Sequence, residues 1–219
     1  MNPPTETTYP ISLDLRDKPV LLVGGGEVAF RKAQGLSRSG CRLTLVAREF
    51  SPAFRAWLEE HRFMVEQRAY RDGEAARYFL VISATDDAEV NQSVFEDAQR
   101  AGRLINVVDQ PALCNIYIPS RIERGNLQVS ISTGGQCPAF ARWLRRELES
   151  AIPERYGLLL DRVAAIRARM KETVPSPDTR RRVLERLLRS EAARRFLAGD
   201  DQLLNRMDRG WEQAKPKRR

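Results

Sequence analysis

The chain has 219 residues, with 37 basic and 29 acidic side chains, 42% hydrophobic residues and a formal net charge of +8. That composition reads as one or two folded domains rather than a disordered chain. Its longest apolar runs, such as YFLVI at 78–82, fall far short of the roughly 20 residues a membrane helix needs.

Residues 20–23 form a short apolar run suited to a buried parallel strand. Gly24–Gly26 breaks it, Ala29, Ala33 and Leu36 then recur at helical spacing, and Gly40 ends the helix. RLTLV (42–46) is a second strand, and 51–62 a helix with Ser51 as N-cap and Pro52 in the first turn. Strands follow at 63–66, 78–84 and 104–108, with a helix after Asp86 or Asp87 carrying Val90, Val94, Ala98 and Ala101 on one face. Alternation of strands and helices over 1–112 predicts an α/β fold with a parallel sheet and crossover helices. The pattern then changes. Residues 116–122 and 127–132 flank ERGN and predict an antiparallel hairpin. TGGQCP (133–138) leads into a helix with Ala141, Leu144 and Leu148 on one face, and the remainder is helical at about 155–172, 178–198 and 200–213.

The glycine segment carries the sharpest chemistry. Gly24, Gly26 and Ala29 fit G-x-G-x-x-A between a strand and a helix. Gly24 permits the tight turn, Gly26 lets backbone approach a pyrophosphate, and the small Ala29 lets helix pack on sheet. The helix start at Glu27 and Val28 presents free N–H groups to an anion. At the end of the second strand, Glu49 could hydrogen-bond a ribose hydroxyl and Arg48 could accept a 2′-phosphate, which leaves NAD and NADP both open. Strand C-termini line the ligand crevice of such a sheet. Thr85 and Asp86 therefore border the cofactor, although Asp86 or Asp87 also suits a helix cap. Val107 and Asp109 end the fifth strand, where Val107 is expected at the cofactor and Asp109 is either a general base, with a transient metal contact in reach, or a turn residue before Pro111. Thr133, Gly134 and Gly135 offer either a second anion site at a helix start or a plain loop joint, with Arg142 in the helix that follows.

Other chemistries find little support. His61 is the sole histidine, so a Ser-His-Asp arrangement has nothing else to build on. Cys41, Cys114 and Cys137 give neither zinc-ligand spacing nor a disulfide framework. With no signal pattern in MNPPTETTYP, a reducing, cytoplasmic location is the expectation. The charge is uneven: 1–150 holds 19 basic and 19 acidic residues, and 151–219 holds 18 and 10. KPKRR at 215–219 supplies half of that excess. A basic C-terminal region suits nucleic acid or an anionic substrate. With 7% aromatic residues and no recognition motif, the chain is not expected to bind nucleic acid.

YPISLDLRDKPVLLVGGGEVAFRKAQGL (9–36), VISATDDAEVN (81–91), NVVDQPALCNIYIPS (106–120) and VSISTGGQCPAFARWLRRELE (129–149) together resemble the precorrin-2 dehydrogenase / sirohydrochlorin ferrochelatase family, which also forms the N-terminal module of sirohaem synthase. The resemblance implies an NAD-binding Rossmann domain at 1–112, a small β-rich dimerisation region at 113–150 and a helical domain at 151–219. It implies a homodimer that oxidises precorrin-2 to sirohydrochlorin with NAD⁺ and, in bifunctional members, inserts Fe²⁺ as a substrate. Asp109 matches the family's catalytic aspartate. Glu27, Val28, Arg48 and Glu49 fall at its cofactor positions, and Thr133 at a substrate-binding position that often holds Ser. Two other classes stay open: an NAD-sensing module without chemistry, and a basic nucleic-acid-binding protein.

Overall fold

The computed structural model describes residues 8–203. The chain divides into two compact units between Ile118 and Pro119. The predicted helix at 200–213 lies outside the described residues beyond 203, as does KPKRR.

The first unit is a five-stranded parallel sheet of order β3-β2-β1-β4-β5. The strands are β1 (Pro19–Val23), β2 (Arg42–Ala47), β3 (Met64–Gln67), β4 (Leu80–Ser83) and β5 (Leu104–Val107). Side chains alternate across a strand, so the apolar runs serve two cores. Val20, Leu22, Leu43, Leu45, Leu80 and Ile82 pack with Ala29, Ala33 and Leu36 of α1 (Glu27–Ser37) and Phe54 of α2 (Pro52–Glu59). Leu21, Val23, Val46, Val81, Ile105 and Val107 pack with Val94 and Ala98 of α3 (Ala88–Arg100). Burial on both faces explains why these strands read as continuous apolar runs. The helix starts follow the expected caps: Ser51 Oγ accepts from Phe54 N at 3.4 Å, and Asp87 Oδ1 accepts from Glu89 N and Val90 N at 3.1 Å each. The order reverses direction between β1 and β4, which opens a crevice at the strands' C-terminal ends.

In the second unit β6 (Ser120–Arg124) and β7 (Leu127–Ile131) form an antiparallel hairpin. The paired Arg124 and Leu127 flank a two-residue turn, and Gly125 at φ +57° supplies the left-handed residue it needs. The first strand was expected at 116–122 and begins four residues later. Asn115 and Ile116 N–H groups both donate to Ile105 O, and Asn106 Nδ2 donates to Ile116 O, so this stretch is held by β5. Four helices follow: α4 (Pro138–Ala151), α5 (Arg155–Thr173), α6 (Pro177–Leu188) and α7 (Glu191–Leu197). The helix expected over 178–198 is broken because Ser190 caps a new start, accepting from Ala193 N at 3.2 Å. Gly157 lets α5 lie against the hairpin, since a Cβ there would meet Arg124 O at 2.4 Å. Leu159, Ile166, Met170, Leu187, Ala193 and Phe196 form the helical core. The unit boundary thus falls after 118 rather than 112, and β6, β7 and α4 share one unit with α5–α7. Among the described residues no helix is long and apolar enough to cross a membrane, and no three His, Cys, Asp or Glu side chains converge as a metal site.

Candidate active site

The crevice is a cleft of about 700 Å³ at the C-terminal edge of the sheet, within the range of small-ligand and cofactor pockets. Its floor is the β1–α1 turn, and its walls come from the segments after β2, β3, β4 and β5. It brings together Gly24, Gly26, Glu27, Val28, Arg48, Glu49, Thr85, Asp86 and Asp109 from the sequence reading. Two of the expected cofactor residues do not line it. Ala29 is fully buried and packs α1 onto the sheet, while Val107 points into the core beneath α3 and leaves Val108 at the surface of the cleft. Five carboxylates and two guanidiniums line the cleft, a formal charge of −3.

The three glycines are required for three different reasons. Gly24 sits at φ +124°, and a Cβ there would meet Ala84 O at 2.2 Å. Gly25, the unassigned x of the fingerprint, is the tightest: a Cβ would lie 1.8 Å from Glu49 O. Its carbonyl accepts from Ser51 N at 2.8 Å, so the turns after β1 and β2 are joined. Gly26 has ordinary extended backbone (φ −82°, ψ −176°), and no atom lies within 4 Å of where its Cβ would be. The protein does not need glycine there for itself. The open space lies at the N-cap of α1, where no side chain caps the helix and the first N–H groups have no intrahelical partner. A dinucleotide fits these features: the cradle is open at Gly26, the free N–H groups suit a pyrophosphate, and Glu49 stands at the end of β2 for a ribose hydroxyl.

The far wall is built by polar groups the sequence does not advertise. Buried Ser83 Oγ donates to Asn91 Oδ1 at 2.6 Å, and Asn91 Nδ2 donates to Thr85 O at 3.0 Å, fixing the turn after β4. Thr85 Oγ1 accepts from Asp87 N at 3.2 Å. Asp109 is exposed and holds φ +59°, a left-handed conformation that few residues besides glycine adopt and that Asp tolerates better than most. The turn around it is closed by Gln110 N donating to Val107 O at 3.3 Å and by the Cys114 thiol. That sulfur accepts from Val107 N at 3.2 Å and from Asn106 Nδ2 at 3.5 Å, and lies 3.2 Å from Val107 O and 3.3 Å from Gln110 O. Burial pushes the thiol's pKa up, against the bonds from Val107 and Asn106, so it stays a neutral donor. Strained backbone beside a cleft, over-determined by its surroundings, is a mark of functional sites.

Near β3, Arg68 pairs with Glu66 and with buried Glu74. Burial raises the Glu74 carboxyl, but bonds from Arg68 and from the Arg71 N–H outweigh it and hold its pKa below the usual value. Tyr70 OH donates to Asp97 at 2.8 Å and accepts from Ala75 N at 2.9 Å, which braces the same segment.

Thr133, Gly134, Gly135 and Arg142 lie in the second unit. Gly134 (φ +60°) and Gly135 (φ +82°) turn the chain, and Thr133 Oγ1 accepts from Cys137 N at 3.2 Å at the start of α4. Arg142 is exposed on α4. His61 is structural: Nδ1 meets Trp57 O at 2.8 Å and the ring stacks on Phe63.

The parallel sheet, its glycine turn and the cleft at the strand ends define a Rossmann-type dinucleotide-binding protein. A family model described as "Putative NAD(P)-binding" matches residues 11–120, one for the central part of sirohaem biosynthesis proteins matches 124–151, and one for the sirohaem synthase dimerisation region matches 155–210. The chain belongs to this NAD(P)-binding family of sirohaem biosynthesis proteins. The dimerisation match covers the helical part. Siroheme synthase of Pseudomonas aeruginosa is 40% identical over 190 residues, which are 87% of this chain and 41% of that protein. Siroheme synthase of Methylobacillus flagellatus is 37% identical over 195 residues, 89% of this chain and 42% of that protein. The chain thus spans about two fifths of the length of the curated relatives it matches. A solved structure titled "SirC, precorrin-2 dehydrogenase" superposes with a TM-score of 0.76 at 25% identity, covering 92% of this chain and all of that one.

Proposed function

We propose that this protein oxidises precorrin-2 to sirohydrochlorin with NAD⁺. The observation that carries this reading is Asp109, an exposed carboxylate held at φ +59° on the rim of a dinucleotide cleft. The likeness to sirohaem synthases and to a precorrin-2 dehydrogenase supports the choice of substrate. Bound NAD⁺ would supply a hydride acceptor. The overall step removes two hydrogens from the macrocycle, one as a hydride to that acceptor and one as a proton. The N–H groups at the start of α1 bind the pyrophosphate, and Gly26 leaves room for it. Asp109 takes a proton from the macrocycle, a task its oxygens perform without histidine or metal ligands. The turn built on Cys114 keeps that carboxylate on the cleft side.

Precorrin-2 carries eight carboxylates, whereas the cleft is itself acidic. The excess of basic residues in the sequence of 151–219 suits an anionic substrate of this kind. The match of 155–210 to a dimerisation region supports a homodimer. An anaerobic absorbance assay of precorrin-2 with NAD⁺, followed by Fe²⁺ or Co²⁺, tests the reading. NADH and sirohydrochlorin should appear together in the first phase, and spectral change in the second phase reports metal insertion by the same chain. NAD⁺ binding without turnover would identify a sensing module instead.

A further inference from the structure

The strand register sets Ala47 of β2 opposite Gln67 of β3, so Arg48 and Arg68 stand one residue beyond the two strand ends, both on the cleft wall. Two arginines at the ribose end of a Rossmann cleft ordinarily suit a 2′-phosphate. Here one of them is spent. A guanidinium has five N–H donors, and all five of Arg68 are engaged. Nε donates to Glu66 at 2.7 Å, and Nη1 to Ala69 O at 2.9 Å and Glu74 Oε2 at 3.0 Å. Nη2 donates to Glu74 Oε1 at 2.6 Å and to Glu66 Oε2. Glu74 is buried and also accepts from the Arg71 N–H, so it is not free to swing aside.

On the reading that the cleft holds a dinucleotide, the geometry points to Glu66, Arg68 and Glu74 as the group that selects a cofactor with a free 2′-hydroxyl over its 2′-phosphorylated counterpart. Arg68 has no donor left for a phosphate oxygen. Glu66 and Glu74 cancel its charge, with Arg77 reaching Glu74 at 4.0 Å, so the cluster offers no net positive charge to a wall whose formal charge, Arg68 included, is −3. A 2′-phosphate brings between one and two further negative charges at neutral pH, by analogy with other phosphate monoesters. A 2′-hydroxyl brings none and can donate to Glu49. Arg48 is exposed and next to Glu49, and alone it does not offset this field.

Isothermal titration of the full chain with NAD⁺ and NADP⁺ tests the assignment. The wild type should bind NAD⁺ at least tenfold more tightly than NADP⁺. Glu66→Ala removes the half-exposed partner on an edge strand and frees two Arg68 donors. It should raise the ratio of NADP⁺ to NAD⁺ affinity at least fivefold, and the isosteric Glu66→Gln should move it in the same direction by less. Adding Arg68→Gln to Glu66→Ala should abolish the gain. Equal wild-type affinities, an unchanged ratio in both Glu66 variants, or a gain that survives loss of Arg68 would each overturn the assignment while leaving the dinucleotide reading intact. Failure of the wild type to bind either nucleotide would overturn both.

Discussion

Replacing Gly25 and Gly26 in turn with alanine separates what the fold needs from what the ligand needs. At Gly25 the new Cβ would lie 1.8 Å from Glu49 O and 3.0 Å from the Ala47 side chain. The turns after β1 and β2 must part before that contact becomes tolerable, yet Ser51 N holds Gly25 O at 2.8 Å. Overpacking of this kind costs about 1–3 kcal/mol, which lowers Tm by roughly 2–12 °C in a chain of this size. At Gly26 the backbone already suits alanine, and nothing lies within 4 Å of the new atom. Alanine is a slightly poorer N-cap than glycine but restricts the unfolded chain more, so the two effects nearly cancel. Gly26→Ala should therefore melt within about 2 °C of wild type. The methyl group projects where a pyrophosphate must come close to the α1 N–H groups. Losing a charge-assisted hydrogen bond there is worth about 1.5–3 kcal/mol, so NAD⁺ affinity should fall by roughly 10- to 100-fold. Scanning fluorimetry and titration calorimetry on both variants give the readout. A stable Gly26→Ala with wild-type affinity would refute the pyrophosphate placement, and a Gly25→Ala as stable as wild type would refute the packing argument.

Asp109→Asn keeps a side chain that tolerates φ > 0 and should leave Tm and NAD⁺ binding near wild type while lowering precorrin-2 oxidation by about 10²-fold or more; stopped-flow formation of NADH measures it. Cys114→Ala removes the bonds to Val107, Asn106 and Gln110, should cost about 1–2 kcal/mol in urea unfolding, and should lower kcat more than it raises KM, with Cys114→Ser restoring part of both. Glu74→Gln leaves Arg68 with one fewer charged partner. Because the folded pKa of Glu74 is depressed, its contribution is present above the unfolded carboxylate range and disappears as pH falls through the lower folded value. The stability gap between wild type and Glu74→Gln should thus be widest at neutral pH and close below about pH 4 in thermal melts.

The sheet was legible in the sequence because its signals are local. Val20–Val23, Leu43–Val46 and Val81–Ser83 are apolar runs, and Gly24, Ser51 and Asp87 punctuate them at the right offsets. The same locality exposed Gly24 and Gly26. What stayed hidden depends on partners remote in sequence. Gly25 is constrained by a carbonyl 24 residues away, and Arg68 by Glu74 across a turn. Cys114 reads as a lone thiol until it is seen inside the Val107–Gln110 turn. Val107 failed as a cleft residue by one step of strand alternation, which sends it inward and Val108 outward. The hairpin strand was expected too early because Ile116 and Ile118 have strand-like side chains but pack on the first unit's core. Thr133 kept its hydroxyl in a useful position, yet that oxygen serves the Cys137 N–H.

The left-handed backbone at Asp109 has a consequence for anyone who would harden this protein by laboratory evolution. Asp109→Gly would relieve strain worth about 1 kcal/mol, a large gain for one substitution, and it would delete the carboxylate proposed to take the proton. A screen that rewards heat tolerance alone should therefore drift toward a robust but inert scaffold, with this position among the earliest to change. Position 109 is a built-in marker of whether such a screen is also selecting for turnover.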